Sequence, residues 1–156
     1  MLFNNPTRGT LIFDQVIDEL CGFLREDTSA QYSLTIGSDS EQRAGEVEFI
    51  SAIVIHRKGR GARYFWMRTE KPPFPNLRER IWHEAILSTS LARSVLDAMT
   101  ERDAWWSDIE VHVDVGENGP TKELIREISG YVRAYGFVVC IKPEAYAAAS
   151  VADRYT

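Results

Sequence analysis

Cysteine is scarce in this chain: Cys21 and Cys140 are the only two in 156 residues, and they form no C-x-x-C pair. That argues against a disulfide framework or a zinc ribbon and predicts reduced, packed thiols. Long apolar runs are missing too. None approaches the roughly 20 residues that cross a bilayer, and the N-terminal MLFNNPTRGT has neither the basic nor the apolar region of a signal peptide, so a cytoplasmic protein is expected. Histidine occurs three times. His83 and His112 belong to no metal-type pair and read as packing or surface residues, and His56 ends a strand beside a basic turn. No linker or repeat divides the sequence, which reads as one domain over residues 1–156, with 1–29 as an accessory N-terminal helix.

A basic total is lacking as well, since the net charge is −5. The charge is nevertheless uneven. Residues 56–80 hold Arg57, Lys58, Arg60, Arg63, Arg68, Lys71, Arg78 and Arg80 against Glu70 and Glu79, a local +6, so the rest carries −11. Phosphate binding needs clustered Lys and Arg rather than a basic total, so a basic contact surface beside an acidic metal site is compatible with this pattern. Arg57, Lys58, Arg60 and Arg63 are the candidates for that surface.

The most informative stretch is IEVHVDVGENGPTK, residues 109–122. Ile109, Val111, Val113 and Val115 recur with the period of a strand, which puts Glu110, His112 and Asp114 on its other face. Gly116, Gly119 and Pro120 then stop the strand before a helix begins. Ligands gather at the carboxyl ends of strands in open α/β sheets, which makes Asp114 a candidate. Upstream, Leu11 to Arg25 reads as a helix with one apolar face, and Tyr32 to Ser38 as a strand that presents Asp39 at its end. Glu46 to His56 and Arg63 to Arg68 complete an antiparallel meander, which Pro72, Pro73 and Pro75 end.

Leu77 to Met99 is the longest predicted helix. At about 100° per residue, Leu77, Ile81, Leu91 and Val95 fall within roughly 60° of Glu84, whereas Glu79 points roughly 140° away. Glu84 thus lies in the apolar stripe. A carboxylate facing a core costs several kcal/mol unless it is paired or bound to a metal. A helix over Thr121 to Tyr135, a short strand over Phe137 to Ile141 and a last helix over Glu144 to Asp153 follow, and Asp153 joins the candidate carboxylates.

This element order is that of the ribonuclease H-like fold. It implies a mixed five-stranded sheet in the order 3-2-1-4-5, flanked by helices, with an extra N-terminal helix. There the fourth strand lies parallel to the first, so that Asp39 and Asp114 would meet, within reach of Glu84 and Asp153. Four converging carboxylates suit two hard divalent ions, Mg²⁺ or Mn²⁺, rather than zinc.

The segments IGSDS (36–40), IVIHRKGRGARYF (53–65), IWHEAILS (81–88), HVDVGENGPTKELI (112–125) and IKPEAYAAASVADRYT (141–156) closely resemble the YkuK-like family of predicted ribonuclease H-like proteins. The resemblance runs from about residue 30 to the end, and its one noted departure is Ala145, where the family pattern favours Ser. It implies an acidic quartet at Asp39, Glu84, Asp114 and Asp153. The expected activity is two-metal hydrolysis of phosphodiester bonds in RNA, RNA/DNA hybrid or structured DNA, with Lys122 as a phosphate contact at a helix start. The alternative is a non-catalytic nucleic-acid or protein-binding module on the same fold.

Overall fold

A computed structural model describes residues 1–104 and 108–145. The order of elements is β1 (Leu2–Asn5), β2 (Gly9–Ile12), α1 (Phe13–Glu26), β3 (Tyr32–Arg43), β4 (Glu46–Arg57), β5 (Ala62–Lys71) and α2 (Leu77–Glu101). After these come β6 (Ile109–His112), a 3₁₀ turn at Lys122–Leu124, α3 (Ile125–Ala134) and β7 (Val138–Cys140). The strands form one mixed sheet in the order β2-β1-β5-β4-β3-β6-β7. Among the described residues the sheet therefore has seven strands, not the expected five. Its contiguous part β5-β4-β3-β6-β7 contains the five strands read from the sequence.

The two added strands come from the N-terminal piece. Asn5 makes the turn: its side-chain oxygen accepts the backbone N–H of Thr7 and of Arg8 at 2.9 and 2.8 Å, and Gly9 takes the left-handed conformation (φ 76) that closes it. The same Asn5 side chain donates to the Tyr64 carbonyl at 2.9 Å, which docks the hairpin on β5. Leu11 and Ile12 are consequently strand residues, and the helix begins at Phe13, where the Gln15 side chain accepts the N–H of Ile12.

β3 and β4 pair antiparallel along their whole length, from Tyr32↔Arg57 to Arg43↔Glu46, through a turn at Ala44 and Gly45 (φ 99). The first strand of the meander thus continues four residues past Asp39. What stops near there is its parallel neighbour: β6 pairs with β3 only from Leu34↔Ile109 to Gly37↔His112. Leu34, Ile36, Ile53, Ile55, Ile109 and Val111 share one core cluster with Val16, Ile17 and Leu20 of α1, Leu91, Ala92 and Val95 of α2, and Ile128 and Val132 of α3. Alternate strand residues form a smaller second cluster, in which Tyr64 and Trp66 pack on Ala52 and Val54.

A buried hydroxyl seam fixes α2 on the sheet. Ser88 donates to Ser38 at 2.8 Å, and Ser38 shares a 2.8 Å hydrogen bond with Ser51. Four residues of helix and two of strand both rise about 6 Å, so the Ser88–Ser38 contact puts Glu84 beside Ser40. No described helix is long and apolar enough to cross a membrane. Phe3, from the N-terminal hairpin, is fully buried in the main core. Phe3→Ala should therefore lower the unfolding free energy by about 3–5 kcal/mol, read from the denaturant midpoint. A loss near zero would make the hairpin a detachable appendage.

Candidate functional site

The parallel register carries Asp39 and Asp114 to the same level. Each β3 residue faces the β6 residue 75 positions later, so Asp39 and Asp114 are in step just beyond the last paired residues. The β6–β7 register adds a third residue to this rank, because its offset of 28 takes Asp114 to Lys142. The backbone keeps this spacing past β6, since Val113 donates to the Cys140 carbonyl at 3.0 Å and Lys142 to the Val115 carbonyl at 3.0 Å. Lys142 Nζ then lies 2.7 Å from Asp114 Oδ1.

Glu84 reaches this rank from α2. It is 4 % exposed; Ile81, Leu91 and Val95 of its stripe are buried as the helical arithmetic predicts, while Leu77, in the first turn, stays on the surface. Its Oε1 accepts the Ser40 hydroxyl at 2.7 Å, and its Oε2 is buried without a partner. Burial pushes the Glu84 carboxyl well above the usual carboxylate range, the Ser40 hydrogen bond opposes that, and the charges of Asp39 and Asp114 raise it further. Arg80, one turn earlier on α2, lowers it. The structure thus brings Asp39, Glu84 and Asp114 into one electrostatic cluster. Asp39 also accepts the N–H of Ser40 at 2.9 Å.

The Gly116 turn makes room for Lys142. A Cβ on Gly116 would stand 3.0 Å from the Lys142 Cβ and 3.4 Å from its Cδ, so the lysine stem runs over a residue with no side chain. The Thr121 hydroxyl accepts the Gly116 N–H at 3.2 Å and holds the loop.

The basic candidates sit elsewhere. The turn after β4 lies at the Tyr32 end of the sheet, about 23 Å along β3 from Asp39 at the rise of a strand. Arg57 donates to the Tyr32 hydroxyl, the Phe23 carbonyl and Glu26 at 3.0, 2.8 and 3.0 Å, and its guanidinium stacks 4.0 Å from the Phe23 ring centre. Arg60 pairs with Asp27 at 3.0 Å, and Arg63 lies 4.8 Å from the Phe23 ring centre. These arginines fasten the hairpin to the end of α1. Farther along, Arg68 pairs with Glu48, and Arg78 with Glu127 at 2.6 Å, so much of the local basic excess is met by acids from other elements. Lys58 is exposed at the turn, and Lys122 is exposed at the start of the 3₁₀ turn. Asp153 lies outside the described residues.

A model of the ribonuclease H-like family, described as "Ribonuclease H-like", matches residues 15–156. The chain belongs to that family. It is also similar to the uncharacterized protein YkuK of Bacillus subtilis (strain 168), 34% identical over 169 aligned residues that cover 99% of this chain and 96% of the relative. In this ribonuclease H-like protein the three described carboxylates stand where the parallel strand pair ends, and membership points to a role connected with nucleic acid.

Sequence reasoning left Lys142, Arg80 and Ser40 without a role at the site. Counting the offset between the last two strands would have found Lys142, because it falls in step with Asp114. Glu84 gives a titration signature. Above the ordinary Glu value of 4.5 the unfolded chain releases this proton while the folded chain keeps it. The unfolded state then binds fewer protons, so stability falls as pH rises through that window, until the folded carboxyl itself titrates. In chelator, Glu84→Gln should therefore gain stability over the wild type as pH climbs above 4.5, by up to about 1.4 kcal/mol per pH unit, and show no such trend below it. Parallel stability–pH curves for the two proteins would contradict the assignment.

Proposed function

We propose that this ribonuclease H-like protein hydrolyses phosphodiester bonds in RNA, RNA/DNA hybrid or structured DNA with the help of two Mg²⁺ or Mn²⁺ ions. The observation that carries this reading is the buried, unpartnered Oε2 of Glu84 beside Asp39 and Asp114. A buried carboxylate oxygen short of a partner, on a residue that feels the charges of two neighbouring aspartates, would supply part of a hard all-oxygen donor set. Bound divalent ions would lower the pKa of a nucleophilic water and stabilise the leaving oxygen.

The chain's own residues have separate tasks. Asp39 and Asp114 supply the fixed charges from neighbouring strands. Glu84 must give up its proton for a cation to be held, so affinity rises with pH. The Ser40 hydroxyl fixes one Glu84 oxygen and leaves the other for the ion. Lys142, which neutralises Asp114 in this structure, is placed to move its ammonium to a substrate phosphate once a cation takes over that carboxylate. Arg80 balances the negative rank from the helix side.

The same Lys142–Asp114 pair also favours a second reading, a metal-free binding module in which the lysine is the resident cation. Calorimetric titration with Mn²⁺, alongside a cleavage assay on labelled RNA, hybrid and branched DNA, separates the two. On the nuclease reading, wild type binds and cleaves, Asp114→Asn loses both, and Lys142→Met binds Mn²⁺ more tightly while cleaving more slowly. If millimolar Mn²⁺ leaves both wild type and Lys142→Met unsaturated, and no substrate is cut, the catalytic reading is refuted.

A further inference from the structure

Glu110, His112 and Cys140 form a second cluster of ligating atoms, one residue pair back along β6 from Asp114. Glu110 and His112 are two apart on β6 and so share a face, and Cys140 is the registered partner of His112 on β7. One carboxylate oxygen, one ring nitrogen and the thiol sulfur lie within 4.8 Å of one another. They line a cavity of about 510 Å³ that also touches Thr35, His56 and Glu144.

Several observations point to a ligand here. His112 is 6 % exposed, and its Nδ1 is buried without a partner. Its Nε2 stands 3.6 Å from Glu110 Oε2, too far for a good hydrogen bond. Glu110 also accepts a long 3.5 Å contact from the Thr35 hydroxyl. Cys140 is a free thiol that is not fully buried. A buried imidazole is normally satisfied on both nitrogens, and here Nδ1 is not.

We propose that Glu110, His112 and Cys140 bind one divalent ion of the zinc class, at a site separate from the acidic rank. Sulfur, nitrogen and a single carboxylate oxygen suit Zn²⁺ or Co²⁺ and disfavour Mg²⁺. Zinc–ligand bonds of about 2.0–2.3 Å put tetrahedral ligands between 3 and 4 Å apart, so the donor atoms need close by only about an ångström. Three protein ligands leave the fourth position facing the cavity, where a water completes the shell and Glu144 adds negative charge nearby. When the ion binds, the thiol releases its proton to the solvent, and the imidazole binds as the neutral ring through the nitrogen that carries no hydrogen. The ion would tie β6 to β7 immediately behind Asp114 and Lys142. The proposal does not depend on the nuclease reading.

The test uses the 156-residue chain, dialysed against chelator and titrated with Co²⁺ under reducing conditions. Ligation by Cys140 produces a sulfur-to-cobalt charge-transfer band in the near ultraviolet that saturates at one ion per chain and is bleached by Zn²⁺. Cys140→Ser should abolish the band, and His112→Gln should weaken binding by at least about tenfold. Cys21→Ser and Asp114→Asn should leave it unchanged. If His112→Gln does not fold, as judged by circular dichroism, Cys140→Ser and Glu110→Gln carry the test. Absence of the band at saturating Co²⁺, or a band that survives in Cys140→Ser, overturns the site. Co²⁺ binding that is lost in Asp114→Asn instead would do the same, because the ion would then belong to the acidic rank.

Discussion

Parallel pairing of β3 with β6 is the constraint on which the site depends. Its fixed offset decides which side chains stand side by side where the shorter strand gives out, and a one-residue slip would turn Asp114 to the opposite face and put Val113 or Val115 beside Asp39. Several features hold that register. Ile36 and Val111 are wholly buried against the helices, and the chain beyond β6 stays hydrogen-bonded to the segment after β7. The Ser88–Ser38–Ser51 seam then sets the height of α2, and with it the height of Glu84.

Charge is the counterpart of this geometry. Asp39, Glu84 and Asp114 repel one another, and the fold answers by making Glu84 hold its proton more tightly than an ordinary glutamate, by placing the Lys142 ammonium on Asp114, and by setting Arg80 one turn below Glu84. The first two of these measures are reversible. A protonated carboxyl and an exchangeable lysine contact can both give way to a cation, whereas an internal arginine pair could not be displaced so readily. At the other end of the sheet, Arg57 holds Tyr32, Phe23 and Glu26 together as a structural clamp. The two ends of β3 thus use charge differently.

Much of this was legible in the residues. Strand patterns in 32–38 and 109–115 and the angular position of Glu84 pointed to Asp39, Asp114 and Glu84, whose charges the fold lets interact, because burial patterns in a sheet and along a long helix repeat with a fixed period. The N-terminal hairpin was not legible. Its strands are four residues each, and Leu11 and Ile12 extend the apolar face of the helix that follows, so helical periodicity absorbed them. The last four residues of β3 escaped notice because SEQR carries no apolar alternation, yet pairing with β4 keeps them extended. The basic run was read as free because its partners, Glu26, Asp27, Glu48 and Glu127, lie 20 or more residues away in sequence. The Glu110–His112–Cys140 group was hidden for a similar reason, since its donors come from two strands with a helix between them.

The N-terminal hairpin also bears on how molecules of this protein behave toward one another. Without it, the ten-residue β5 would present a long row of unpaired amides and carbonyls, the kind of margin on which a second chain can be templated. With it, the outermost strands among the described residues are β2, with four residues, and β7, with three. Margins that short offer few hydrogen bonds to a passing strand. The first dozen residues therefore cover part of the β5 edge, around the Asn4↔Trp66 pair, against strand addition by a second chain, and they do so from a segment remote from the acidic rank.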